Sequence, residues 1–89
     1  MAELLFEEHA DAALSALESD PARARLLERI NEVLDLLEAD PGDRRVRRRR
    51  YHTVECWGVP MTGDGEEWLL LWDFQAEGVI AIRYLGPDL

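Results

Sequence analysis

The segment Glu67–Phe74 reads E-W-L-L-L-W-D-F, with a large apolar side chain at six of its eight positions. Side chains alternate between the two faces of a strand. One face of this strand would carry the bulkiest side chains: Trp68, Leu70, Trp72 and Phe74. The other face would carry Leu69 and Leu71, so the strand is apolar on both sides. Strands of that kind lie in the middle of a sheet, and the segment therefore predicts a central strand.

Turn sequences on both sides of this segment separate it from two more strand candidates. Residues 62–65 read Thr-Gly-Asp-Gly, and residues 75–78 form a second turn that ends in glycine. Cys56–Met61 is the strand candidate before the first turn, and Pro60 favours a sheet edge or a strand end there. The last strand is predicted over Val79–Leu85. The second half of the chain is therefore expected to form an antiparallel meander.

The most basic part of the chain precedes these strands. Residues 44–52 hold six arginines and no acid, within a chain whose net charge is −9. Val46 and Tyr51 favour a strand, and four consecutive arginines on a helix would repel one another. Helix is the alternative, because arginine is a good helix former. Strand alternation would divide the polar side chains between two faces: Arg48, Arg50 and His52, against Arg45, Arg47, Arg49 and Tyr51.

The first half of the chain predicts two helices joined by a very short turn. Apolar residues recur at helical spacing over residues 10–17 and, more clearly, over residues 26–37. Asp20 can cap the second helix, and Pro21 fits its first position. The weakly apolar residues 2–6 are a candidate short first strand. The predicted fold class is α+β, a helical hairpin packed on an antiparallel sheet of three to four strands.

Length and composition fit one small domain over residues 1–89. The longest uncharged apolar stretch, Trp68–Trp72, is far shorter than the roughly 20 residues of a membrane span. Residues 1–8 carry acid and no basic region, which argues against a targeting signal. The single cysteine, Cys56, excludes an internal disulfide, and a Cys-based zinc site would need several chains. We therefore expect a cytoplasmic domain with no membrane contact, metal or cofactor.

The same order of elements runs through nearly the whole chain, and several short segments mark it. They are the first helix running into Asp20-Pro21-Ala22-Arg23, the second ending in Leu36-Leu37-Glu38-Ala39-Asp40-Pro41, the basic segment with Trp57-Gly58-Val59 after it, residues 67–72, and Val79-Ile80-Ala81-Ile82. This layout resembles the RelE/ParE superfamily of toxins from bacterial type II toxin–antitoxin systems.

The resemblance implies a function as well as a fold. Ribosome-dependent members of the family cut messenger RNA with basic residues on the concave face of the sheet, together with a histidine or tyrosine. A second branch poisons gyrase and has no ribonuclease activity. An antitoxin normally wraps and neutralises toxins of both kinds. For this chain the resemblance implies a toxin-like component with an antitoxin or other protein partner, and with ribosome and messenger RNA as further candidates.

Two positions depart from the family pattern. An arginine commonly follows the aromatic residue at the start of the central strand, and here that residue is Leu69. The last strand often runs into glycine and His-Arg, whereas here Pro87 and Asp88 follow the glycine. RNA cleavage needs positive charge to stabilise the transferring phosphoryl group. Whether the chain is an enzyme stays open, and the rival hypothesis is a non-catalytic protein-interaction module or a gyrase-type inhibitor.

If the chain is a ribonuclease, we expect four catalytic residues: Arg48, Arg50, His52 and Arg83. The arginines would bind phosphate, and His52 would transfer the proton. Strand alternation places Arg83 opposite Ile80, Ile82 and Tyr84, so that Arg83 would look out from the open face of the sheet if that apolar set meets the helices. The alternative is a surface arginine that is paired with Asp73 or Glu55.

The binding candidates form a second set: Trp57, Trp68, Trp72, Arg47 and Tyr51. One or two of the tryptophans are expected to be exposed if nothing covers the second face of the sheet. An exposed aromatic patch indicates a partner, such as an antitoxin segment, a second copy of the chain or a nucleobase.

Overall fold

The computed structural model describes residues 2–88. Two helices and five strands follow one another, with one turn of 3₁₀ helix before α2 and another before β2. The elements in chain order are β1 (Glu3–Phe6), α1 (Glu8–Glu18), a 3₁₀ turn (Pro21–Arg23), α2 (Ala24–Ala39), a second 3₁₀ turn (Arg44–Val46), β2 (Arg49–Tyr51), β3 (Cys56–Gly63), β4 (Glu66–Ala76) and β5 (Val79–Pro87). Neither α-helix in this part of the chain has the length and apolar character that crossing a bilayer requires.

The five strands form one mixed sheet in the order β1-β5-β4-β3-β2. The strands β2 to β5 are antiparallel neighbours, as the turn sequences predict. The first strand runs parallel to β5, with Leu4 opposite Ile80 and Phe6 opposite Ile82. The α+β class is confirmed, but the expected antiparallel sheet of three to four strands is wrong. Residues 3–6 pair with the free edge of β5 and bury part of Leu4 and Phe6 against the core.

The central strand β4 presents its largest side chains to the helices. Trp68, Leu70 and Trp72 are all buried, and Trp72 is completely inaccessible to solvent. The indole Nε1–H of Trp72 donates a hydrogen bond of 2.6 Å to the carbonyl oxygen of Val46. A buried indole needs such a partner, because an unsatisfied N–H inside the core costs about 1–3 kcal/mol. Phe74, predicted on the same face, lies beyond the core and is 44% exposed.

The 3₁₀ turn at Pro21–Arg23 and the start of α2 are capped by different aspartates. Asp20 accepts a hydrogen bond from the amide of Ala22, as predicted, but the turn that it caps is the 3₁₀ segment with Pro21 at its start. The amides of Arg25 and Leu26 at the start of α2 donate instead to Oδ2 of Asp64, at 2.9 and 3.1 Å. Asp64 lies in the β3–β4 turn, so a residue about forty positions away caps this helix.

The β3–β4 turn has the backbone that brings Asp64 to the helix. Asp64 and Gly65 both have positive φ, 51° and 78°, which is the pattern of a two-residue turn that matches the twist of its strands. The preceding Gly63 lies against α2, since a Cβ at this position would stand 2.7 Å from the Cα of Leu26. A side chain at Gly63 would therefore force the turn and the helix apart.

The predicted strand over residues 44–52 is wrong for most of its length. Arg44–Val46 is a 3₁₀ turn, the strand covers only Arg49–Tyr51, and a turn follows it. Asp43 caps the 3₁₀ turn by accepting a hydrogen bond of 2.8 Å from the amide of Arg45. Burial of Val46 anchors that turn in the core. The alternation predicted for the arginines therefore holds only within the three residues of β2.

An irregularity in β5 changes which of its side chains share a face. Leu71 pairs with Tyr84, whereas the next residue of β4, Trp72, pairs with Ile82. Arg83 is thus an extra residue, a β-bulge, and the alternation resumes one position later. The expectation that Tyr84 shares the core face of Ile80 and Ile82 is wrong.

The cap from Asp64 can be tested by two substitutions at that position. Asp64→Gly fits the positive φ but removes the charged acceptor of two amide hydrogen bonds, so we expect the free energy of unfolding to fall by about 1.5 kcal/mol. Asp64→Asn retains one acceptor oxygen and should lose less. Urea denaturation followed by tryptophan fluorescence measures both changes. The control is Glu77→Gly in the β4–β5 turn; an equal loss in that variant would contradict the assigned cap.

Candidate functional site

One face of the sheet is covered by the helices and the other has no second layer among the described residues. We call the uncovered side the open face. It includes side chains from three strands and from the residue after β5: Glu67, Leu69, Leu71 and Asp73 of β4, Arg83 and Tyr84 of β5, Arg49 and Tyr51 of β2, and Asp88. The two-sided apolar pattern of residues 67–74 correctly separates Leu69 and Leu71 from the tryptophans, but it does not indicate which of the two faces is open.

A shallow hollow of about 280 Å³ lies at the centre of the open face. Its lining is mostly apolar or aromatic: Tyr51, Leu69, Leu71, Tyr84, Pro87 and Asp88. Two glycines let the tyrosines lie close to the sheet. A Cβ on Gly58 would stand 2.5 Å from the ring of Tyr51, and one on Gly86 would stand 2.6 Å from the hydroxyl oxygen of Tyr84. The Tyr84 hydroxyl is fixed because it donates to the carbonyl oxygen of Pro87 at 2.9 Å.

Both arginines named on the open face, Arg83 and Arg49, form ion pairs with carboxylates. The Arg83 guanidinium lies 2.8 Å from Oε1 of Glu7 and 3.9 Å from Oδ2 of Asp73. Hydrogen bonding to Glu7 raises the pKa of Arg83 above its usual value. An anion that approached Arg83 would have to compete with two carboxylates already beside it.

The second arginine of the open face, Arg49, is held in the same way. Its guanidinium lies 3.0 Å from Oδ2 of Asp88 and donates to the Tyr51 hydroxyl at 3.3 Å. The hydrogen bond to Tyr51, followed by the one to Asp88, raises the pKa of Arg49. The RelE/ParE pattern would have a cation at position 88, whereas this chain has Asp88, which pairs with the cation Arg49.

The four catalytic candidates are distributed over the sheet and are not gathered at one site. Arg83 lies on the open face, as predicted. Arg50 pairs with Trp57 and stacks on its ring, with the guanidinium carbon 4.9 Å from the ring centroid, which places Arg50 on the helix side. Arg48 and His52 are exposed on either side of the short β2 strand. The prediction that Arg48, Arg50 and His52 form one row on a strand is wrong, because β2 covers only Arg49–Tyr51 and cannot align all three side chains.

The tryptophans among the binding candidates all belong to the helix side of the sheet. Trp68 and Trp72 are core residues, at 5% and 0% exposure, and the expectation that they are available to a partner is wrong. Trp57 is half-buried against the core. The guanidinium of Arg47 lies 5.1 Å from the Trp57 ring centroid and 5.7 Å from that of Trp72. Of the binding candidates only Tyr51 lines the hollow.

Tyr84 is the residue of the hollow that the sequence analysis places on the wrong face. The bulge at Arg83 moves it outward, and no local sequence signal marks that bulge. The ring of His9 from α1 stacks on Tyr84, with centroids 5.2 Å apart and ring planes inclined by 22°. This contact fixes one border of the hollow from a helix that otherwise packs on the other side of β5.

Four arginines between residues 2 and 88 are exposed and have no carboxylate within ion-pair distance: Arg25 at the start of α2, and Arg44, Arg48 and Arg50. We call the last three the basic edge, since they lie along and before the edge strand β2. Arg45 differs from it, because its guanidinium is bonded to Asp43 at 2.9 Å. Hydrogen bonding to Arg45 lowers the pKa of Asp43 from 3.8 to about 2.

Two other chemical possibilities find little support in the described residues. Cys56 is buried, and burial raises the pKa of its thiol, so the nucleophilic thiolate is disfavoured. Between residues 2 and 88, His, Cys, Asp and Glu side chains do not come together in a group of three or more that could hold a metal ion. The features that the open face offers to a ligand are its apolar surface and its charged side chains.

The pairing of Asp43 with Arg45 can be tested by titration. We expect the Asp43 carboxyl to titrate near pH 2, and Arg45→Ala to raise its pKa toward 3.8 because the side-chain hydrogen bonds are lost. A carboxylate with a lowered pKa stabilises the fold above pH 3.8, and this contribution disappears as the pH falls from there to 2. Carbon-13 NMR of the carboxyl measures the titration. Arg44→Ala is the control, and an equal shift in that variant would contradict the pairing.

The neutralisation of the two open-face arginines predicts a gain of function. The double variant Glu7→Gln with Asp88→Asn removes the closest carboxylate from Arg83 and from Arg49 and should bind a single-stranded RNA oligomer several-fold more tightly than wild type, because each guanidinium can then contact a phosphate more readily. Fluorescence anisotropy at fixed salt measures the affinity. The control, Glu8→Gln with Asp40→Asn, changes the net charge equally. If both variants gain the same affinity, the two ion pairs do not block the arginines.

No protein-family model matches the chain, and no curated protein or solved structure matches it. The architecture is two helices on one face of a five-stranded mixed sheet. The likeness to the RelE/ParE toxins rests on the order of elements in the sequence.

Proposed function

We propose that this protein is a toxin-like component of a bacterial type II toxin–antitoxin system that acts in the cytoplasm by binding a protein through the open face of its sheet. The observation that carries this proposal is the hollow, with an apolar floor and with both neighbouring arginines already paired to carboxylates. Apolar surface of this kind binds protein side chains. The positive charge that RNA binding requires is neutralised on this face.

The floor of the hollow supports protein binding. Leu69 and Leu71 lie between the rings of Tyr51 and Tyr84, and tyrosine is among the residues that dominate protein interfaces. The tyrosines are fixed in place by the hydroxyl contacts of Arg49 and Pro87, so little side-chain entropy is lost when a partner binds. A partner side chain would find a prearranged apolar site.

The same geometry opposes RNA cleavage on this face. A phosphate at Arg83 would displace Glu7, and one at Arg49 would displace Asp88. Leu69 stands where the resembling family commonly has an arginine. The charges that would stabilise a transferring phosphoryl group are therefore cancelled before the substrate arrives.

A ribosome-dependent endoribonuclease is the second candidate, and the basic edge is the observation that favours it. Arg44, Arg48 and Arg50 are exposed and have no carboxylate within ion-pair distance in the described chain. They could bind an RNA backbone, with His52 close by in sequence as a proton-transfer group. In this alternative the active surface is an edge of the sheet and not its open face.

The two functions predict different results when the chain is induced alone in a bacterial host. Protein binding through the open face predicts slowed growth, no ribosome-dependent cuts in mapped transcripts, and relief of the growth defect by Leu71→Arg. A photo-crosslinking residue in place of Leu71 should capture a defined protein, and one in place of the exposed Ala16 on α1 should not. Arg48→Ala with Arg50→Ala should leave the growth defect unchanged.

Ribosome-dependent cuts that disappear in Arg48→Ala with Arg50→Ala would overturn protein binding in favour of the ribonuclease. Normal growth from a folded product, with capture from position 71, would retain the protein-binding face and remove the toxin role. Equal capture from positions 71 and 16 would contradict the binding face itself.

A further inference from the structure

Charges surround the apolar hollow in an ordered way along β4. Its four outward side chains in sequence are Glu67, Leu69, Leu71 and Asp73, so a carboxylate stands at each end of a pair of leucines. Same-face residues on a strand are about 6.8 Å apart, which makes the two carboxylates roughly 20 Å apart along β4. The hollow lies over the leucines between them.

The carboxylates at the ends of this row are less compensated than the others on the open face. Glu7 and Asp88 are in close ion pairs with Arg83 and Arg49. Glu67 is exposed and has no ion-pair partner in the described chain, and Asp73 is 3.9 Å from the one guanidinium near it, which is already bonded to Glu7. Four carboxylates, those of Glu7, Glu67, Asp73 and Asp88, thus lie around two guanidiniums, and the excess negative charge lies at the two ends of the row.

We infer that the open face binds an extended protein segment in which two alternate apolar residues are flanked, two positions further on each side, by lysine or arginine. The inference rests on the proposed function and specifies its partner. The apolar side chains would enter the hollow between Tyr51 and Tyr84, and the flanking cations would meet Glu67 and Asp73. A segment lying on the sheet keeps within about 30° of the strand direction, so its period of two matches that of β4.

The width of the hollow agrees with a single bound segment. Gly58 and Tyr84 both pair with Leu71 from opposite sides, and the ring of Tyr51 covers Gly58. Two strand spacings, about 9.6 Å, therefore separate the strands beneath the two tyrosines. One row of side chains fits between the rings, whereas a second layer of several strands would clash with them.

Charge excludes the other occupants that such a face could take. An acidic segment or an RNA strand would meet Glu67, which has no ion-pair partner in the described chain, and Asp73, whose one neighbouring guanidinium is shared with Glu7. A second copy of the chain could offer Arg25 or its basic edge, and neither of them flanks a pair of alternate exposed apolar residues. A separate protein with a basic and apolar segment is the occupant that matches both the hollow and its charges.

The test uses fluorescein-labelled peptides with the purified full chain. The probe is Lys-Ser-Leu-Ser-Phe-Ser-Lys, and the same peptide with glutamate in place of both lysines is the charge control. We expect the basic peptide to bind at least ten-fold more tightly in low salt. Glu67→Gln should weaken that binding several-fold, whereas Glu28→Gln on α2, an identical charge change at an exposed site, should leave it unchanged. Leu71→Arg should abolish it, and denaturation curves check that the variant folds.

Several results would overturn the inference. They include equal or tighter binding of the acidic peptide, no binding of either peptide, and equal effects of Glu67→Gln and Glu28→Gln. Competition by single-stranded RNA for the hollow would assign the face to nucleic acid. Self-association in the ultracentrifuge that Leu71→Arg removes would assign it to a second copy. Capture of a protein from position 71 whose contact segment lacks the basic and apolar pattern would overturn only this inference and retain the proposed function.

Discussion

The burial of Trp72 determines how the two sides of the sheet are used. Its indole lies wholly inside the core and donates to the carbonyl of Val46, which ties the basic segment to the sheet. Arg47 then covers the edges of this cluster by stacking near Trp57 and Phe74. Because Trp72 must face the helices, strand alternation sends Leu71 and Asp73 to the opposite side. The open face is therefore a consequence of where one large ring is buried.

The same constraint explains which parts of the fold can be predicted from sequence. A strand apolar on both faces belongs in the middle of a sheet, and β4 is there, between β3 and β5. The glycine-containing turns and the apolar stripe of α2 can likewise be predicted from short segments of the sequence. The pairing of β1 is not local, because residues 3–6 contact a strand more than seventy positions away. The 3₁₀ turn at Arg44–Val46 forms because Asp43 caps it and Val46 is buried in the core. The strand propensity of the individual residues takes neither contact into account.

The candidate site is less predictable than the fold for related physical reasons. Leu69, Leu71 and Tyr51 follow from alternation, but Tyr84 reaches the open face through a bulge. The ion pair of Arg83 with Glu7 joins residues 76 positions apart, and that of Arg49 with Asp88 joins residues 39 apart. Strand alternation offers Asp73 as a partner for Arg83, but it does not indicate the closer partner Glu7 or the pair of Arg49 with Asp88. Electrostatic pairing across the fold therefore decides whether a cationic motif remains a cationic surface.

The position of Asp64 has a consequence for the way the molecule opens. The turn residue that closes the β3–β4 hairpin also satisfies the first amides of α2. If the hairpin tip separates from α2, the helix loses its cap in the same event. The two elements therefore form one cooperative unit for hydrogen exchange, although one is helix and the other is sheet. Protection of the amides of Arg25 and Leu26 reports on the integrity of a turn that lies outside the helix.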